Sequence, residues 1–177
     1  MGDKNRLGEI WVETIIYTLI AFVLIGAVLA IAQPKIEQIQ DKAFIEQSAG
    51  VIKEIDNLLF SLEQGGVGNK RLIELGIKKG SLKIDGENDL LFFEIDSSYM
   101  YSEPGANIFE GDIIIHTRKK ADAYVVNISQ NYPNYNITLG AKDEIKILNK
   151  ASTPYQLLIS HNGKDSSNKI IINFEIK

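Results

Sequence analysis

The chain has 177 residues, a formal net charge of −4, 45% hydrophobic residues and no cysteine. That excludes disulfides, thiolate metal sites and cysteine nucleophiles, and the scattered Lys and Arg leave no basic patch suited to nucleic acid. The mean hydropathy of −0.04 is that of an ordinary soluble domain. The average conceals two environments, because Thr14 to Ala32 is a run of 19 residues without a charge, interrupted only by Thr14, Thr18 and Gly26 among apolar side chains.

As a helix rising about 1.5 Å per residue, such a run spans the roughly 30 Å of a bilayer core. Small residues within it (Ala21, Gly26, Ala27, Ala30) also suit close packing of helix on helix. Three readings compete for this segment. A secretory signal peptide would end at the small-x-small sequence Ala30-Ile31-Ala32, but the run is long for an h-region, Pro34 would stand second after the cut, and Glu13 sits at its mouth. A plain anchor leaves Glu13 incidental, in the headgroup layer beside Trp11. A carboxylate at the edge of an apolar run is otherwise a functional flag.

The third reading comes from the residues ahead of the run. A short leader, Met1-Gly-Asp-Lys-Asn-Arg-Leu-Gly8, carries Lys4 and Arg6, ends in glycine, and is followed by Glu9-Ile-Trp-Val-Glu13. This resembles type IV pilin precursors of the archaeal type. The family has a class III signal peptide, cut after the glycine by a prepilin peptidase on the cytoplasmic side. The apolar segment stays on the mature chain, which often begins with Gln, a small residue and Glu at positions one, three and five. Those positions here hold Glu9, Trp11 and Glu13, so the fifth matches while the first and third differ, as does Leu7 where a basic residue is common. The resemblance covers residues 1–34 by position and 35–64 only in character.

What the resemblance implies is a structural filament subunit and not an enzyme. It would be cleaved between Gly8 and Glu9 and assembled through its N-terminal helix, with Glu13 pairing with the new amino terminus of a neighbouring subunit. Its partners would be other pilin subunits, the peptidase, the membrane platform that assembles the pilus and, before assembly, the membrane itself. Lys4 and Arg6 place the N-terminus in the cytoplasm and the bulk of the chain outside. Cleavage would shift the net charge from −4 to −5. The alternative is a single-pass anchored accessory or receptor protein with an extracellular β domain.

After Gln33-Pro34 the chain turns polar but keeps helical periodicity to about Leu62. Ile45, Ala49, Ile52, Ile55, Leu59 and Leu62 recur at three and four residues with Lys42, Glu46, Lys53, Glu54 and Asp56 between them. Pro34 is expected to kink or restart the helix, since it removes a hydrogen bond and clashes with the preceding turn. Gly65-Gly66-Val67-Gly68 reads as a C-terminal cap and not a phosphate loop, which would need a preceding strand and a Gly-Lys-Ser/Thr ending.

From Arg71 the period changes to short apolar or alternating runs. Strands are expected at 71–76, 81–85, 90–96, 112–118, 123–128, 135–139, 144–148, 155–160 and 169–176, with turns at Asp85-Gly86, Glu103-Pro104-Gly105, Glu110-Gly111-Asp112, Tyr132-Pro133-Asn134 and His161-Asn162-Gly163. The fold class is therefore α+β: a long N-terminal helix, membrane-spanning in its first half and amphipathic in its second, packed on an antiparallel β-sandwich or sheet. The organisation is a leader at 1–8, an apolar helix at 9–33, its extension at 34–64 and a β domain at 65–177.

Within the β domain, Asp85-Gly86-Glu87-Asn88-Asp89 reads as a solvated hairpin turn in preference to a calcium loop, because it lacks the long spacing and terminal glutamate. Asn127 and Asn136 head N-glycosylation sequons, a number composition alone nearly accounts for. His116 falls on an expected strand and His161 opens an expected turn. No spacing assigns either as ligand or base, and neither an enzyme signature, a cofactor nor a metal site is expected.

Overall fold

A computed structural model of the chain describes the backbone of residues 4–177 and the side chains of residues 11–177. One helix, α1 (Lys4–Gly65), is followed by ten strands: β1 (Lys70–Leu75), β2 (Ser81–Asp85), β3 (Leu90–Ser97), β4 (Asn107–Glu110), β5 (Ile113–Lys120), β6 (Ala123–Asn131), β7 (Tyr135–Leu139), β8 (Ile145–Asn149), β9 (Tyr155–Lys164) and β10 (Ile170–Ile176). The fold is α+β as expected. The chain divides into two units, residues 1–39 and residues 40–177.

In the second unit the helical stripe is the spine of the core. Ile45, Ala49, Ile52, Ile55, Leu59 and Leu62 are all buried, none more than 4% exposed. Each of the five larger side chains contributes roughly 1.5–3 kcal/mol by leaving water. Gly66 ends the helix with φ of +78°, its N–H donating to the carbonyls of Leu62 and Glu63, both at 3.1 Å. The Asn69 amide then donates to the carbonyls of Gly65 and Gly66. This is the cap that the glycines announced.

The strands form two sheets whose inner faces join the stripe in one core cluster. The four-stranded sheet runs β1-β9-β10-β7 and the six-stranded sheet β4-β5-β6-β3-β2-β8. Alternation along the strands supplies the inner faces, as with Leu91, Phe93 and Ile95 on β3. Every pairing is antiparallel except β7 with β10, which is parallel. That departs from a wholly antiparallel expectation: between β7 and β10 the chain crosses to the other sheet as β8 and comes back through the β9–β10 pair, and parallel neighbours require such a crossover.

Two local expectations also change. β4 was not expected, since a four-residue edge strand among Ser, Tyr, Pro and Gly has almost no periodic signal; it pairs only with β5. The chain does not turn at His161-Asn162-Gly163, because β9 continues to Lys164 and the reversal lies at Asp165–Lys169. There the Asp165 N–H donates to the Lys169 carbonyl at 2.9 Å and the Asp165 carboxylate accepts from the Ser167 and Lys169 N–H groups. A register shift near Ile170–Ile172 absorbs the longer strand. Pro34 lies inside α1, which does not restart there.

Candidate functional site

The first unit is defined by exposed apolar surface. Among the described residues one helix is long and apolar enough to cross a membrane. From Trp11 to Ile31 the large apolar side chains are 48% to 73% exposed. A contiguous apolar surface of this extent needs lipid or other protein around it. Trp11, Ile15, Leu19 and Phe22 form a ridge along one side, with Thr14 and Thr18 between them. Thr18 turns its hydroxyl back to the Thr14 carbonyl at 2.8 Å, the way a hydroxyl on an apolar helix finds a partner without water.

Gly8 and Glu9 fall on α1, but the Glu9 side chain, like residues 1–3 altogether, lies outside the described residues. Glu13 is exposed one turn before Tyr17, whose hydroxyl donates to Glu13 Oε1 at 3.1 Å. The sequence reading missed this bond, although the i, i+4 spacing was there to be read. Pro34 is exposed, so the N–H that proline lacks is on a solvent-facing or partner-facing turn.

In the second unit the helix is tied to the sheets by polar side chains, of which Asp41 is buried. Asp41, 5% exposed, accepts from Lys79 Nζ, from the Ser98 N–H at 2.6 Å and from the Ser98 hydroxyl at 2.9 Å. Burial pushes the Asp41 carboxyl up, but Lys79 and the two Ser98 bonds together outweigh it and hold it below the usual carboxylate value. Further along, Lys53 meets Glu110 at 2.8 Å and the Tyr135 hydroxyl donates to Glu63 at 2.8 Å.

The acidic turn at 85–89 is a β2–β3 hairpin, solvated at Glu87 and Asn88 as expected but not at Asp85. Asp85 is 1% exposed, paired with Lys83 at 2.9 Å and accepting from Asn88; Asp89 accepts from the Ile137 N–H at 2.8 Å and from Lys169 Nζ at 2.7 Å. The Asp85 and Asp89 carboxylates are spent on the fold, while Glu87 is exposed. No group of three or more His, Cys, Asp or Glu placed to hold a metal occurs among the described residues.

Both sequons lie on strands and not on loops. Asn127 is on β6, between Glu94 of β3 and His116 of β5, with its side-chain oxygen buried and unpartnered among the described residues. Asn136 is on β7, at the edge of the four-stranded sheet, and its amide donates to Asp165 at 3.1 Å. His116 Nδ1 lies 2.8 Å from Asn107 Oδ1. His161 is 5% exposed, neither ring nitrogen has a partner among the described residues, and its backbone bonds the loop after α1.

Compared with protein-family models, with curated proteins and with solved structures, the chain finds no match in any of the three.

Proposed function

We propose that the chain is a structural subunit of an archaeal-type IV pilus-like surface filament. On this reading it enters the membrane as a precursor with its N-terminus in the cytoplasm, is cut after Gly8 by a prepilin peptidase, and is then drawn from lipid into a bundle of like helices. The β domain stands outside the bundle, where surface contacts and adhesion are made.

One observation supports this reading above the others: the division of labour along α1. The stripe from Ile45 to Leu62 is used up inside the chain's own β domain, while the large side chains from Trp11 to Ile31 are uncovered on all sides. A plain anchor needs an apolar span, but it has no use for a single uninterrupted helix that also forms the spine of the outer domain. A filament subunit uses both, the first part against neighbours and the second to carry its domain. In a bundle without water, Glu13 needs a cationic partner, and a protonated amine at Glu9 of a neighbour supplies one.

The test is the mass of the chain recovered from its own membranes and from sheared surface filaments. A mature chain beginning at Glu9 is expected. A chain still carrying Met1–Gly8 would replace the proposal with a membrane-anchored accessory or receptor protein, and one beginning at Gln33 would make it a secreted protein.

A further inference from the structure

Among the described residues the two sheets end in four strands: β1 and β7 in one, β4 and β8 in the other. An open edge is a template for a further strand, and proteins blunt such edges by shortness, cover or lysine. β4 has only four residues. β7 is covered by the β2–β3 turn, where Asp89 accepts the Ile137 N–H at 2.8 Å and a Cβ on Gly86 would stand 2.6 Å from the Ile137 carbonyl oxygen. β8 has five residues, and Lys146 is the one charge within it, with no acid in the strand to answer it. β1 differs from all three. It has six residues, Lys-Arg-Leu-Ile-Glu-Leu, of which Lys70, Arg71, Leu72 and Glu74 are exposed.

The ladder with β9 shows which backbone groups β1 turns outward. At its start the His161 N–H donates to the Asn69 carbonyl at 3.0 Å, and the Gly68 N–H donates to the His161 carbonyl at 2.9 Å. Bonded pairs alternate along an antiparallel ladder, so Arg71 and Ile73 bond to Ile159 and Leu157. The N–H and C=O groups of Lys70, Leu72 and Glu74 then point to the free side. The exposed Arg71 guanidinium donates to the Lys70 carbonyl at 3.1 Å, a surface contact that an incoming strand would displace.

The same three residues share one face of the strand, opposite to buried Leu75. Leu72 is 56% exposed at their centre. Lys70 and Glu74 stand two residues to either side of it. Neither has an ion-pair partner among the described residues. They are about 13 Å apart along the strand, too far to pair with each other. Their cross-strand neighbours on β9, Ser160 and Gln156, are neutral.

We propose that β1 is an interface for a second copy of this chain, pairing antiparallel with the partner's β1 about a two-fold axis at Leu72. This register sets Leu72 against Leu72, Lys70 against Glu74, and Glu74 against Lys70. Each opposed pair is one whose backbone groups already face outward, so each can exchange two N–H···O bonds. Opposite charges placed directly across a ladder stabilise it and like charges weaken it. Centring the axis on Arg71 or Ile73 instead breaks both charge pairs, so the charges select the register as well as the partner. A strand edge of this length buries less than the roughly 1,000 Å² of a stable interface, so the pairing is weak in dilute solution and gains from confinement at a surface. The contact joins identical patches and is therefore distinct from the head-to-tail contact that builds a filament. It does not depend on whether the first unit assembles into one.

The test places a single cysteine in a chain that has none and follows disulfide dimers of the full chain in detergent micelles under a mild oxidant. Opposed Cα atoms of a bonded pair lie about 5.5 Å apart, within reach of a disulfide. Leu72→Cys is expected to cross-link at least about ten-fold more than Ser166→Cys, an exposed control in the β9–β10 turn. Adding Lys70→Glu or Glu74→Lys to Leu72→Cys is expected to lower the yield about ten-fold, because each sets like charges opposite one another twice. Adding both exchanges the charges and restores the yield. Mixing the two single-reversal chains also restores it, as a dimer holding one of each. All the variants change exposed side chains and are expected to keep the thermal midpoint of the unaltered chain. Three outcomes overturn the proposal: equal cross-linking at positions 72 and 166, single reversals that leave the yield unchanged, or restoration by neither the double reversal nor the mixture.

Discussion

Ser98 donates twice to one oxygen of Asp41, through its N–H at 2.6 Å and through its hydroxyl at 2.9 Å, which fastens the chain just after β3 to the helix. Lys79 binds the other oxygen of the same carboxylate.

The pH dependence of this joint has a definite sign. The folded Asp41 carboxyl lies below its unfolded value near 3.8. Its contribution is therefore fully present above that value and is lost as pH falls through the lower folded pKa. Asp41→Asn is expected to destabilise the β domain at pH 7 by on the order of 2 kcal/mol, the scale of hydrogen bonds to a charged group. It should also flatten the acid limb of stability, measured as urea midpoints between neutral pH and about pH 2. Asp56 runs the other way: burial, opposed by a bond from Gln130, raises its folded pKa, which makes stability fall as pH rises through the interval between the unfolded and folded values.

Gly80 and Gly140 separate backbone strain from collision. Both have positive φ, +74° and +57°, but a Cβ on Gly80 would strike the Glu94 carbonyl whereas Gly140 has open space around it. Gly140→Ala is expected to cost about 1 kcal/mol from strain alone, and Gly80→Ala about 2 kcal/mol or more. Equal losses in denaturant melts would remove the collision from the account.

His161 buries two ring nitrogens without partners among the described residues. Replacing a buried unsatisfied polar group by an apolar one of similar size is nearly neutral or stabilising. His161→Leu is accordingly expected to raise the thermal midpoint, and a drop of several degrees would show that the ring holds a bond the fold needs.

The two sequons differ in reach. Asn127 sits between two strands with its oxygen buried, while Asn136 is on an edge strand. Glycan on the exported protein is expected at Asn136 in preference to Asn127, checked by peptide mass mapping of native protein and of Asn136→Gln. Attachment at Asn127 alone would reverse that ranking.

Glu13 carries the assembly prediction. Glu13→Ala should leave membrane insertion intact and reduce filament yield at least ten-fold, read from sheared filaments against membrane-bound subunit. Tyr17→Phe, which removes only the bond to Glu13, should cost much less. Unimpaired filaments from Glu13→Ala would exclude the carboxylate from assembly.

Much of the architecture was legible because its signals are local. Residues three and four apart define the stripe from Ile45 to Leu62, and all six positions expected on it are buried. Nine strands were expected and all nine occur, β2 and β7 with the bounds expected. The misses share a cause. β4 is too short to show a period, and His161-Asn162-Gly163 has the composition of a turn but follows the pairing of β9 with β10 instead. Asp85 looked like a solvated acid because a sequence does not display Lys83 and Asn88 folding over it.

The sequence alone determined that this chain has an apolar run long enough to span a bilayer, a glutamate at its mouth, a helix amphipathic beyond it and a strand-rich remainder. These follow from composition and from periods of 3.6 and 2, which neighbours along the chain enforce. Only the tertiary structure decided how ten strands divide into two sheets, that β7 and β10 run parallel, and that β1 stands at the edge of its sheet. Those relations join residues far apart in sequence, and they are set by which faces bury against which, a choice that no local propensity contains.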